Sequence, residues 1–293
     1  LLADQRPMSR YPFIDQHRLR YPIRHLCQVV SVPPSRYYAW QQRQQQPELA
    51  WEVALDQTFD THKKRYGTRR LRVALRQLGH RVGRQALRTA MRRRGLRALQ
   101  PKDYMPRTTD STHRLRCAPN RLLDQPPIAQ ANRVWVSDIT YLPLASGAWA
   151  YLCAFQDAAS KHIVGWHVMA TMPEELITTA LQRALLAQQP VAGLLVHSDR
   201  GGQYCGNAYR TLLHRHLALR SQSRRGECYD NAQAESLWSR LKTEELEARE
   251  WPVFVNLADA QASIATYFDY YNYERLHSSI GYQVPYLAHQ QLT

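Results

Sequence analysis

Val196-His-Ser-Asp-Arg-Gly-Gly-Gln-Tyr204 places one carboxylate, Asp199, where an apolar run gives way to a Gly-Gly turn. Residues 191–196 (Val-Ala-Gly-Leu-Leu-Val) have the composition of a short buried strand, and Gly201-Gly202 end it. A carboxylate at the mouth of a sheet can hold a metal ion. Two further acidic residues can complete such a site: Asp138 in Val134-Trp-Val-Ser-Asp-Ile-Thr-Tyr141, and Glu235 in Asp230-Asn-Ala-Gln-Ala-Glu-Ser-Leu-Trp238. Divalent-metal phosphoryl chemistry needs hard oxygen ligands of this type, and two ions about 4 Å apart activate a nucleophile and stabilise the leaving oxygen. Taken singly, each acid reads equally well as a turn, cap or surface residue.

Working outward, residues 134–142, 148–157 and 162–169 are short apolar runs separated by Leu144-Ala-Ser-Gly147 and Ala159-Ser-Lys161, which predicts three adjacent antiparallel strands. A helix follows over Pro173–Gln188, with Glu174 and Glu175 at the positive end of its dipole. Next come the strand 191–197, a helix near Asn207–His216, a strand near 217–222 and a long helix from about 230 to 247. The order βββαβαβα predicts an α/β fold, a mixed five-stranded sheet flanked by helices. On the long helix Asn231, Ser239 and Lys242 share a face with Glu235, so Lys242 is placed to hold a DNA backbone and Asn231 to support the acid. His197 shares a strand face with Asp199 and reads as its orienting partner, as a weak metal ligand or as a packed strand histidine. Asp157 ends the second strand, but Ala-Ala-Ser follows it with no Gly to open the backbone, so it stays outside the triad. Arg220, Arg224 and Arg225 flank the Gly226 loop before the long helix and can position a DNA strand.

The front of the chain differs in charge. Residues 1–133 carry 27 Lys/Arg against 9 Asp/Glu, whereas residues 134–293 carry 12 against 15, within an overall charge of +15. Such asymmetry predicts a nucleic-acid-binding front half joined to a near-neutral domain. Residues 21–45 read as helix, Pro-Pro turn, helix, with Ser31 and Ser35 as caps. That pattern fits either a helix-turn-helix, which would send Arg36 and Tyr37 into a major groove, or a plain helical hairpin. Residues 51–95 repeat it more strongly: a helix over Trp51–Lys64, a second capped by Thr68 and a third from Arg84. Twelve arginines between Arg65 and Arg97, Arg69, Arg70, Arg84, Arg88 and Arg92 among them, surround an apolar stripe of Leu71, Leu75, Leu78, Leu87 and Met91. Residues 61–100 hold no acidic partner for them, which favours phosphate contact. Prolines at 101, 106, 119, 126 and 127 then mark a basic linker.

The resulting organisation is a helix-turn-helix-like segment 1–50, a basic helical DNA-binding module 51–110, a Pro-containing linker 111–131, a catalytic core 132–250 and a C-terminal helix and tail 251–293. Apolar content of 44% suffices for such cores. No apolar run is long enough for a membrane helix and no secretory signal is present, so a cytoplasmic protein is expected. The five cysteines (Cys27, Cys117, Cys153, Cys205, Cys228) form no C-x-x-C pair, which argues against zinc and against a disulfide framework.

Four stretches together resemble the second-frame transposases of the bacterial insertion-sequence group numbered three, the orfB type. They are Trp135-x-x-Asp-Ile-Thr-Tyr141, His197-Ser-Asp-Arg-Gly-x-Gln-Tyr204, Asp230-Asn-Ala-x-x-Glu-Ser236 with Leu241-Lys-x-Glu244, and Tyr271-Asn-x-x-Arg-x-His277-Ser-x-Ile-Gly281. The resemblance implies an RNase H-like core similar to retroviral integrases, preceded by all-α helix-turn-helix modules. It also implies an Asp-Asp-Glu triad (Asp138, Asp199, Glu235) binding two Mg2+, with Mn2+ able to substitute, and a basic residue at Lys242. The implied reaction is strand cleavage at insertion-sequence ends and transfer of the 3′-OH to a target phosphodiester. The implied partners are double-stranded DNA carrying terminal inverted repeats, target DNA, further copies of the chain forming at least a dimer, and a first-frame product or fusion. A start at Leu1 fits the second frame of a frameshifted product. Two other readings remain open: a domesticated or inactive DNA-binding protein, and a nuclease that cleaves without joining.

Overall fold

The computed structural model describes residues 7–45, 49–101, 117–123, 125–224 and 227–293. The chain forms two compact units, Leu1–Gln57 and Thr58–Thr293. In the first, helices α1 (Pro7–His17), α2 (Ile23–Val29) and α3 (Pro34–Gln45) surround a small core of Ile14, Leu26, Cys27, Val30, Val32 and Tyr37. The expected helix, turn, helix over 21–45 is present with two corrections. Ser31 has a φ of 55° and ends α2 instead of capping α3. Tyr37 is fully buried and donates its hydroxyl to Asp15 at 2.9 Å, so it belongs to the core and not to a groove-facing surface.

After α4 (Ala50–Thr61), α5 (Thr68–Gln77) and α6 (Arg84–Arg93) bury Leu71, Ala74, Leu75, Leu87, Ala90 and Met91 and leave most of their arginines outside. Gly67, not Thr68, is the N-cap of α5. Leu78 is 60% exposed, because the helix ends there and Gly79, at a φ of 89°, turns the chain away.

The sheet has β1 (Val134–Pro143), β2 (Trp149–Asp157), β3 (Ile163–Met169), β4 (Leu195–Ser198) and β5 (Leu219–Gln222) in the order β3-β2-β1-β4-β5. The β1–β2 and β2–β3 pairs are antiparallel, as the short turns require, while β4 and β5 add in parallel beyond β1. On one face α7 (Glu174–Gln188) and α8 (Asn207–Arg215) bury Leu176, Ile177, Leu181 and Leu213 against Trp135, Phe155 and Val196. Gly165 on β3 permits this approach, since a Cβ there would lie 2.6 Å from both the Ala180 carbonyl and the Ala184 methyl. α9 (Ala232–Leu241) adjoins β1, and α10 (Leu257–Tyr273) adjoins β3, where Phe268 meets Trp166 edge to face. α11 (Pro285–Leu292), which the apolar pattern does not flag, is tied in by His289. Its ring reaches Ser160 and Gln188 at 2.9 and 2.8 Å. No helix among the described residues is long and apolar enough to cross a membrane.

The Lys242-x-Glu244 and Tyr271-Asn-x-x-Arg275 stretches form one buried cluster. α9 widens into a π turn over Lys242–Leu246, and Glu244 on it takes two hydrogen bonds from Arg275, at 2.7 and 2.6 Å. Arg70 lies 3.7 Å from the same carboxylate and donates to the Leu276 carbonyl at 2.9 Å. Arg65 donates to the Glu244 carbonyl and pairs with Glu245 at 2.8 Å. Asn272 bonds both backbone groups of Ile163, at 2.9 and 3.1 Å, next to the β-bulge where the β2–β3 register shifts.

Candidate active site

The strand register builds the site. Ser137 on β1 pairs with Ser198 on β4, so Asp138 and Asp199 are the next residues on neighbouring parallel strands, where β4 ends and β1 runs on. Asp199 accepts a hydrogen bond from the Gly201 amide at 2.9 Å, a tight turn in which a Cβ on Gly201 would stand 3.1 Å from the carboxylate. Gln222 on β5 donates to the Asp199 carbonyl at 3.1 Å and fixes the turn from the other side.

Three side chains on and before α9 dock it against the sheet. Asn231, its N-cap, donates to the Ser137 carbonyl at 3.3 Å, and Gln233 donates to Gln156 at 2.9 Å. The buried indole of Trp238 donates to Asp138 Oδ2 at 3.0 Å. Glu235 stands exposed in the first turn of α9, within electrostatic reach of Asp138. Burial first, then the Asp199 charge, with a smaller push from Glu235, raises the Asp138 carboxyl well above the usual carboxylate range. Lys242 is half-buried; burial lowers its ammonium and the Asp138 charge opposes that.

Negative charge accumulates here faster than the protein neutralises it, and the buried Oδ1 of Asn231 has no hydrogen-bond partner. Both observations fit a hard divalent cation. Among the described residues no three His, Cys, Asp or Glu side chains form a ready-made metal cage. Mg2+ commonly takes only one or two carboxylates, with waters and substrate phosphates completing its shell, and the Asp138–Asp199 pair suits that habit.

The other expected residues fall out as follows. His197 is fully buried, with Nδ1 2.8 Å from the Ser221 hydroxyl and Nε2 3.3 Å from that of Ser223, and burial lowers its pKa to about 4. It is a neutral packed histidine bridging β4 to β5 and β5's following residue. Asp157 is saturated by the Asn132, Ala159 and Ser160 amides and the Ser160 hydroxyl, and so serves the β2–β3 turn. Arg36, Arg69, Arg84, Arg88 and Arg92 are exposed, whereas Arg70 faces Glu244. Arg224 is exposed but pairs with Asp230 at 3.1 Å, and Arg225 lies outside the described residues. Trp238 was not picked out by sequence reasoning; its place three residues past Glu235, one helical turn on, is the signal that could have found it.

The Arg224 hydrogen bonds, with those from the Arg224 amide and Asn120, hold Asp230 at about 2 despite an opposing effect of burial. The unfolded value is about 3.9. A depressed carboxylate stabilises the fold above its unfolded pKa and ceases to do so as pH falls through the folded one. The protection factor of the Arg224 amide, its exchange relative to the free-peptide rate at the same pH, should therefore fall between about pH 4 and pH 2, and Arg224→Ala should move Asp230 toward about 3.9 in an NMR titration. An Asp230 that still titrates near 2 in that variant would remove Arg224 as the cause.

Residues 129–228 and 220–285 each match the profile of an integrase core domain, and residues 48–104 match that of an HTH-like domain. The chain is 39% identical over 265 residues to an uncharacterized 31 kDa protein of insertion element IS600 from Shigella sonnei, covering 87% of this chain and 94% of that one. It is 34% identical over 280 residues to the transposase InsF for insertion sequence IS3A from Escherichia coli (strain K12), covering 93% and 95%. Similar solved structures include a simian T-cell lymphotropic virus intasome in complex with PP2A regulatory subunit B56 gamma, at 12% identity, TM-score 0.48 and coverage of 74% and 70%. Another is the HTLV-2 integrase catalytic core domain in complex with magnesium, at 14% identity, TM-score 0.42 and coverage of 55% and 97%.

Proposed function

From the premise that this chain belongs to the IS3-type insertion-sequence transposases, DNA transposition enzymes of the polynucleotidyl-transferase class with an RNase H-like core, we propose that it cleaves a strand at the element's ends and joins the freed 3′-OH to a target phosphodiester. The observation that carries this reading is the register that sets Asp138 beside Asp199 with Glu235 within electrostatic reach. Integrase cores are metal-dependent, and Asp138, Asp199 and Glu235 would hold the ions here. Two bound Mg2+ would supply Lewis-acid polarisation of the phosphodiester and ease deprotonation of the attacking oxygen near neutral pH. An all-oxygen donor set favours magnesium over zinc.

The protein's own groups do the rest. Trp238 fixes Asp138 Oδ2 and so limits how the carboxylate rotates. Lys242 brings a positive charge to the scissile phosphate's side of the site. Arg69, Arg84, Arg88 and Arg92 hold the backbone of the element end, and Arg36 of the first unit also contacts DNA phosphates. Both ends must be paired for transfer, so the working species is at least a dimer. Incubating the protein with Mg2+ and labelled duplex ends tests the assignment: joined products support it, cleavage alone indicates a nuclease, and retention alone indicates a DNA-binding protein.

Trp238→Phe keeps an aromatic ring at the site but removes the indole N–H together with part of the ring volume. Groups that orient a metal-bound carboxylate are typically worth about 10–100-fold in metal affinity or activity. The variant should bind Mn2+ more weakly by about that factor and join correspondingly slowly, beyond what the lower thermal midpoint from the lost ring volume explains. Wild-type Mn2+ affinity in Trp238→Phe would show the contact to be packing alone.

A further inference from the structure

Two adjoining clefts run along α5 and α6. The first, of about 210 Å3, is lined by Thr68, Arg69, Arg72, Val73, Arg84 and Tyr282. The second, of about 450 Å3, shares Arg72 and continues past Arg76 and His80. Three guanidiniums thus border one concavity, and among the described residues Arg69, Arg72 and Arg84 have no ion-pair or hydrogen-bond partner. The nearest stretch of sequence offers none, since residues 61–100 contain no Asp or Glu. Like charges gathered without a counter-charge repel, and an anion in the cleft converts that repulsion into charge-assisted hydrogen bonds. Both helices also begin at this cleft, at Thr68 and Arg84, without an acidic first turn or a side-chain cap, which adds to the same preference.

The fourth wall comes from far along the chain. Tyr282 has a φ of 63°, a left-handed conformation that is costly for a bulky residue and persists only where surrounding contacts impose it. Here the Tyr282 amide donates to the His277 carbonyl at 2.9 Å, and the His277 amide donates to the Gln283 carbonyl at 3.0 Å. The His277-Ser-x-Ile-Gly281 turn therefore holds Tyr282 in the lining of a cleft whose arginines belong to a different module.

We infer that this cleft is a composite clamp for a phosphodiester of a DNA strand, made by Arg69, Arg72 and Arg84 of the helical module and completed by Tyr282 of the C-terminal loop. This rests on the reading that the chain acts on DNA. It adds Arg72 and Tyr282 to the DNA contacts and makes the loop after Arg275 part of DNA binding. An anion-accepting cleft could also take free phosphate, so the test separates the two.

Full-length wild type, Arg72→Gln, Tyr282→Gly and Asp199→Asn are compared by fluorescence anisotropy on a labelled duplex end across a salt series. Tyr282→Gly removes the ring while suiting the left-handed backbone, so the turn is kept. Loss of the Arg72 phosphate contact should flatten the slope of log K against log salt by about 0.9 and lower affinity at moderate salt about 5- to 20-fold, whereas Tyr282→Gly, which removes a neutral contact, should lower affinity by less and keep the slope. An unchanged slope in Arg72→Gln overturns the clamp, and an unchanged affinity in Tyr282→Gly overturns its composite character. If inorganic phosphate stabilises wild type but not Arg72→Gln, while both bind duplex alike, the cleft is a free-anion site and the DNA assignment fails. Should Asp199→Asn still join ends, the catalytic reading fails while the clamp, judged by salt slope, stands.

Discussion

Asp199→Asn is expected to abolish strand joining while leaving duplex binding within about twofold of wild type, and Glu235→Gln should do the same. The two halves of this expectation have separate causes. Joining depends on carboxylate oxygens that carry full negative charge: a carboxamide keeps the size of Asp199 but loses its attraction for a divalent ion, and metal-assisted displacement loses its electrostatic stabilisation. Loss of one such preorganised group costs on the order of a hundredfold to a thousandfold, and loss of the metal with it costs more. In the proposed function duplex binding rests on phosphate contacts by arginines of α5 and α6, which are remote in sequence from the carboxylates. Asp199→Asn also removes the charge that raises Asp138. Asp138 should then titrate lower in the variant than in wild type, an effect visible by NMR without any DNA. Joining at wild-type rate by either variant would remove the residue from the reaction, and loss of duplex binding would mean that the substitution acts through folding.

How far the sequence foretells this site depends on which forces hold each part. The five strands and most helices of the core follow from local pattern, because alternating or continuous apolar runs bounded by turn residues have few other solutions. The meeting of Asp138 and Asp199 is legible only once β1 and β4 are known to be parallel neighbours in a Ser137↔Ser198 register. No local rule supplies that pairing; the motif resemblance does. Long-range side-chain choices are less visible still. Arg70 and its neighbour Arg69 look alike in sequence, yet one faces Glu244 and the other solvent, because consecutive helical positions point about 100° apart and Glu244 lies across the α5 interface. His197 shows the same limit, since Ser221 and Ser223, distant in sequence, engage both its nitrogens. α11 escapes because its buried residues are only Pro285, Ala288 and His289, too few and too small to mark an apolar stripe in the sequence.

The second large effect is expected at Glu244. Its carboxylate is almost fully buried and takes both Arg275 hydrogen bonds, a third from the Tyr267 hydroxyl at 3.2 Å, and the nearby charge of Arg70. Burial alone would drive it toward the neutral acid, but the Arg275 hydrogen bonds and charge, helped by Arg70 and Arg65, outweigh burial and hold it below its ordinary value. Removing one member of such a pair leaves the other charge buried without compensation, which costs about 3–5 kcal/mol. Glu244→Gln should therefore lower the thermal midpoint by roughly 10 °C, given about 2–4 °C per kcal/mol for a unit of this size. Replacing both partners, Glu244→Leu with Arg275→Met, should recover part of the loss, because the buried pair leaves together while Arg70 still loses its counter-charge. The double-mutant cycle by thermal unfolding separates these outcomes: a single-variant shift under about 2 °C, or a double variant no better than either single, would show that the pair is not what holds this junction. The consequence for catalysis follows from position. Glu244 and Lys242 share one π turn, and Arg65 and Arg70 attach the helical module to that same turn. Glu244→Gln should thus slow joining beyond what its folded fraction explains, because it loosens the segment that carries Lys242 toward the phosphate.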